Sequence, residues 1–189
     1  MKRIGLLLIL VATIAGVVTV TPRTMGKTNA DATPIYGITL PPGYREWALI
    51  SVASVGGPVN DIRAKLGNDV AMRAFRQGTI PYPDGTVIAR LAWTHATSEE
   101  SNRVIRAAML AHNLSPDVIQ KALSESFVAG PATNVQFMVK DSKKYASTGG
   151  WGFAEFTNGK PDGEAVHKTC FPCHAPAKDR DFVFTHYAE

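Results

Sequence analysis

Cys170-Phe171-Pro172-Cys173-His174 is the stretch that constrains this chain most. The C-x-x-C-H spacing gathers two thiols and an imidazole into five residues, which is the attachment pattern of a c-type haem. The thiols add across two vinyl groups, and the histidine is then held beneath the iron as an axial ligand. These are the only cysteines of the chain, so none is left for a disulfide elsewhere. Two other readings exist. The thiols can pair with each other or simply pack, and a zinc ion can take His167 or His174 as a further ligand. His167 lies seven residues before His174 on an expected helix and reads as an exposed helix residue.

Compartment is written at the other end. Lys2 and Arg3 precede an apolar run from Ile4 to Val20, the n-region and h-region of a secretory leader. The run is long for a cleaved signal and short for a membrane span. Ala30-Asp31-Ala32 suits cleavage but lies well past the run. Cleavage nearer Val20 and an uncleaved anchor are the alternatives, and only the anchor implies a membrane. An exported, periplasmic location fits covalent haem attachment, which is completed outside the bacterial cytoplasm. Residues 1–32 are therefore read as leader and linker, and 33–189 as one domain of a size that can bury a real core.

The leader also explains the charge. Lys2, Arg3, Arg23 and Lys27 are four of the 20 basic residues, and Asp31 is one of the 16 acids. Without residues 1–32 the balance is 16 against 15, a net +1. The pI near 9.1 is thus no sign of nucleic-acid binding.

Residues 33–189 read as mixed strands and helices. Trp47–Val55 is apolar-rich and ends at Gly56-Gly57-Pro58, as a strand does. Asp69–Gln77 followed by Gly78 is a short helix. Thr86–Trp93 alternates: Val87, Ala89, Leu91 and Trp93 share one face, and Ile88, Arg90 and Ala92 the other. Arg90 on that face is either at an edge or paired with an anion, such as a haem propionate. Ser98–His112 is a capped helix with an apolar stripe of Val104, Ala107, Ala108 and Ala111. Ser115-Pro116 starts another that runs to about Glu125. Asn134–Lys140 and Trp151–Thr157 are further strands, and a helix from about Asp162 delivers Cys170. Phe182–Tyr187 is expected to close the sheet as a last strand.

This order disfavours two common haem architectures. Electron-transfer cytochromes carry the motif early and a ligating methionine far downstream. Only 15 residues follow His174 here, and none is methionine. Four-helix haem bundles carry the motif late but lack alternating segments like Thr86–Trp93.

The chain resembles the cytochrome P-460 family, which includes the cytochromes c′-β. The resemblance rests on Leu40-Pro41-Pro42-Gly43-Tyr44-Arg45-Glu46-Trp47, Pro83-Asp84-Gly85-Thr86-Val87, Val139-Lys140-Asp141-Ser142-Lys143-Lys144-Tyr145, Gly150-Trp151-Gly152-Phe153, the haem motif, and Lys178-Asp179-Arg180-Asp181-Phe182-Val183-Phe184-Thr185. It implies an α+β fold: an antiparallel β-sheet with flanking helices, with the haem motif C-terminal, usually as a homodimer. It implies one covalent heme c held by Cys170 and Cys173, with His174 as the proximal iron ligand and an open site opposite. P-460 enzymes carry a lysine, cross-linked to the haem edge, on the strand after the Asp-Gly-Thr turn. An ungapped reading puts Arg90 there. A guanidinium stays protonated and is a poor nucleophile.

Arg90 therefore favours the type that binds small nitrogenous or diatomic ligands such as nitric oxide. The alternatives are a hydroxylamine-oxidising enzyme and a simple electron carrier working with a redox partner protein. Phe75, Phe137, Trp151 and Phe153 are candidates for an apolar pocket wall, with core packing as the plainer reading. Gln136 and Glu155 are the polar strand residues placed to reach it. An exposed or edge Glu155 is the plainer reading of that residue.

Overall fold

Alternation builds the sheet. In a computed structural model, which describes residues 36–188, six strands pair antiparallel in chain order. They are β1 (Ala48–Val55), β2 (Asp61–Gly67), β3 (Val87–Ala96), β4 (Val128–Lys140), β5 (Trp151–Thr157) and β6 (Lys160–Pro161). The helices are α1 (Asp69–Gln77), α2 (Glu99–Ala111), α3 (Pro116–Ser124) and α4 (Glu164–His174). The α+β expectation holds. The leader, its cleavage site and nearly all of the linker lie outside the described residues. Among the described residues no helix is long and apolar enough to cross a membrane.

The period of two sorts the side chains onto two cores. One face packs Leu66, Ala89, Leu91, Val135, Phe137, Ala154 and Phe156 against Ile38, Tyr44 and Tyr145. Gly152 belongs to that face, where a Cβ would lie 2.5 Å from Tyr145 Cζ, so only glycine admits the ring. The other face packs Ile88, Trp151 and Phe153 with α1 residues Ala71, Met72, Ala74 and Phe75. Cys170 and Phe171 of α4 join this second core. Asn68 caps α1, its side chain accepting from Ala71 N–H, and Gly78 closes it at φ 64°.

The structure departs from the expectations at three points. Asp61–Gly67 is a strand that the sequence reading did not identify. Phe182–Tyr187 is not a strand. Asp181 and Phe182 both adopt left-handed backbone, at φ 49° and 64°, and turn the chain away from the ladder. The tail beyond them is held by side chains: Phe182 packs on Phe171, and Phe184 on His174. It touches the sheet backbone through Ala188 N–H to the Ile50 carbonyl at 2.9 Å.

The third correction concerns α2. None of its residues is buried, and Val104 of the expected stripe is 63% exposed. The reason is topological: α2 and α3 pack chiefly on each other, so the apolar side of α2 faces outward.

Candidate functional site

Motif and sheet meet around one cavity of about 620 Å³, inside the range of roughly 300–1,000 Å³ usual for cofactor sites. Cys170, Cys173 and His174 line it from α4, and the tail residues Val183 to Ala188 line it from the side. The second face of the sheet supplies the rest.

Register gives this floor its chemistry. Ile88, Met138 and Phe153 are cross-strand neighbours and form an apolar row. One step along the strands on the same face, Lys65, Arg90, Gln136 and Glu155 are aligned in the same way and form a polar row. All seven line the cavity, with Arg63 beside the polar row. Phe153 lies 5.2 Å from the His174 ring, centre to centre, so the apolar row is on the imidazole's side.

The polar row is internally bonded. Arg90 Nη1 donates to Asn134 Oδ1 at 3.0 Å and Gln136 Oε1 at 3.2 Å, and its Nη2 donates to Asp61. Arg63 pairs with the other oxygen of Asp61. Asn134 and Gln136 each donate to Glu155, both at 2.7 Å. The anion that Arg90 meets inside the protein is thus Asp61, and β3 is an interior strand, so Arg90 is not at an edge. Glu155 is half-buried and bonded on both oxygens rather than free at an edge. Lys65 stands opposite Arg90 in register. Burial, and then the charges of Arg63 and Arg90, hold its pKa below the ordinary lysine value.

On α4 the thiols sit three residues apart, so both emerge on neighbouring turns of one helix face. Both are free thiols. Burial, with Glu155 and Cys173 adding to it, pushes the Cys170 thiol up to about 11. His174 Nδ1 donates to the Phe182 carbonyl at 2.7 Å. A carbonyl only accepts, so Nδ1 carries the proton and Nε2 is left as the lone-pair nitrogen. Burial holds the ring below the ordinary histidine pKa, partly offset by that bond. These are the properties of a neutral imidazole prepared to bind a metal through Nε2.

His167 is not exposed. It is fully buried, and its Nε2 accepts the backbone N–H of Glu155 at 2.9 Å. Among the described residues no three His, Cys, Asp or Glu side chains converge as metal ligands. Of the aromatic candidates, Phe153 presents its ring to the cavity, whereas Phe75 and Trp151 are core and the Phe137 ring packs in the first-face core against Tyr44 and Phe156. Sequence reasoning missed Lys65 and Arg63 because it missed β2. Their signal was present: Asp61, Arg63 and Lys65 alternate with Ile62, Ala64 and Leu66.

The residues fit a haem. The thiols and imidazole share one end of a helix, an apolar row flanks the imidazole, and a cation-bearing row lies beyond it. Fold and cavity together define an α+β protein whose cavity, apolar on one row and cationic on the next, is suited to an amphipathic group beside a helix-borne thiol pair. The family model described as Cytochrome P460 matches residues 41–185, and the chain belongs to that family. Membership implies a haem cofactor and agrees with the resemblance read from the residues. No curated protein matches the chain.

Proposed function

We propose that the chain is an exported, periplasmic c-type haem protein that binds nitric oxide-type small ligands on the face of the iron opposite His174. The observation that carries this reading is the paired rows of the cavity floor beside a lone-pair Nε2. Cys170 and Cys173 would hold the ring through thioethers, and His174 would ligate the iron. Lys65, Arg63 and Arg90 would face the propionates, whose carboxylates need cationic or hydrogen-bonding partners when withdrawn from water. Bound there, the haem supplies an iron site able to take a neutral diatomic ligand. The chain's own part is to orient the imidazole, exclude water with Ile88, Met138 and Phe153, and bind the carboxylate edge.

The test is the absorption spectrum of the exported protein, oxidised and reduced, with its intact mass and a titration with nitric oxide and carbon monoxide. A ferrous protein that takes up neither gas overturns the reading.

A second reading is supported by Lys65. Arg90 is a poor candidate for a lysine-type bond to the haem edge, but a half-buried amine with a lowered pKa stands beside it in register. A hydroxylamine-oxidising enzyme of the cross-linked type would show a red-shifted ferrous spectrum and a third covalent link surviving proteolysis. Thioether attachment alone excludes it.

We also propose a homodimer. Val104, Leu110 and Val118 on the α2–α3 hairpin and Phe127 at its base are each about half exposed or more. A second copy of the chain would cover them.

A further inference from the structure

The turn after the haem motif is held from beneath by a buried ion pair. Lys140, the last residue of β4, and Asp181 are 6% and 7% exposed. Lys140 Nζ donates to Asp181 Oδ1 at 2.7 Å and to Oδ2 at 2.8 Å. It also donates to the Gly149 carbonyl at 3.1 Å and lies 5.0 Å from the centre of the Trp151 ring. The Tyr82 N–H donates to Asp181 Oδ2 at 2.8 Å. The carboxylate is therefore satisfied from two directions, as a buried charge must be.

Asp181 and Phe182 both occupy left-handed backbone, at φ 49° and 64°. Two such non-glycine residues in a row are costly, and persist only where the surroundings over-determine them. What the turn achieves is visible one residue on. The Phe182 carbonyl is carried to 2.7 Å from His174 Nδ1.

We propose that Lys140 and Asp181 are positioning residues for His174. The ion pair locks the left-handed turn, the turn aims the Phe182 carbonyl, and the carbonyl sets the tautomer and orientation of the imidazole. This rests on the reading of His174 as the iron ligand. A short N–H···O bond at Nδ1 makes Nε2 a stronger donor, so the pair tunes the ligand from two residues away in contact order. Neither residue touches the cavity, which separates this role from binding.

The test uses the haem-loaded protein, wild type and Asp181→Asn. Asparagine tolerates left-handed backbone and keeps the shape of the side chain while removing its charge. The readouts are the ferrous iron–histidine stretching band, the midpoint potential and the melting temperature. The proposal expects the band to shift down and the potential to shift up in Asp181→Asn, with the thioethers intact by mass. A folded Asp181→Asn with the wild-type band and potential overturns it, even if its melting temperature has fallen. If Asp181→Asn fails to assemble, Lys140→Arg carries the same readouts, since it keeps the cation but displaces it; an unmoved band and potential then overturn the proposal. A wild-type protein without haem defeats the functional reading instead, and the proposal with it.

Discussion

The Nε2 of His167 accepts the backbone N–H of Glu155 at 2.9 Å, so the helix that carries the thiols is bonded directly to the strand that carries the cavity's carboxylate. The contact is fully buried and joins α4 to β5 one turn ahead of Cys170. It sets the distance between the motif and the sheet.

Removing it should loosen α4. His167→Ala leaves a buried N–H of β5 without its acceptor, at a cost of roughly 1–3 kcal/mol. A lower melting temperature and a reduced yield of covalently loaded protein are expected. A variant that melts and matures like the wild type would show that the bond is dispensable.

Arg90 should matter to stability whatever the ligand. Arg90→Met strips Asp61 of one of its two cations and takes the donor from Asn134 and Gln136. Because the guanidinium is one-fifth exposed, the expected loss is moderate, about 1–3 kcal/mol. Chemical denaturation reads it directly. Lys65→Met, which has no such network, should cost much less and alter haem affinity or spectrum more.

The two thiols should differ in reactivity before they are attached. Cys170 is pushed up to about 11, mainly by burial, whereas Cys173 is exposed. Thiolate is the reactive form, so a folded, haem-free chain at pH 8 should be alkylated first at Cys173. Peptide mapping after a short pulse of iodoacetamide checks the order, and equal labelling refutes it.

Tyr82 gives an alkaline signature. Burial raises its phenol from 10.0 to about 12. Above pH 10 the unfolded chain releases this proton and the folded chain keeps it, so the unfolded state binds fewer protons. The stabilisation is complete below pH 10 and is lost as pH rises towards 12. Tyr82→Phe should show a shallower loss of stability over that window, measured by urea titration at stepped pH.

Gly149 tests the support of the Phe182 turn from another side. A Cβ there would lie 2.1 Å from Phe182 Cε2, on backbone at φ 66°. Gly149→Ala should displace the Phe182 ring, and the iron–histidine band of the loaded protein should broaden or shift. An unchanged band would show that ring and carbonyl move independently.

Much of this was legible in the residues. The motif needs no partner to be read, because its chemistry lies in five consecutive positions. β3 and β5 were legible because their apolar faces alternate cleanly, and the faces assigned to Val87–Trp93 are the ones observed. β2 was missed because its alternating charges interrupt the apolar pattern from which a strand is usually read, although Arg63 and Lys65 line a cavity. His167 looked exposed because a helix position reveals its burial only when the packing surface is known. The tail from Phe182 looked like a strand because its aromatic residues satisfy strand propensity, and propensity says nothing of which contacts are made.

The sequence by itself determined the C-x-x-C-H spacing, the α+β alternation and the family, since each is carried by motifs whose residues lie close together in the chain. Tertiary structure alone decided that Lys65, Arg90, Gln136 and Glu155 form one row, because strand register joins positions up to 90 residues apart. It also decided that Lys140 and Asp181 meet behind His174. A buried charge takes whatever partner folding brings within about 3 Å, and no local pattern encodes that encounter.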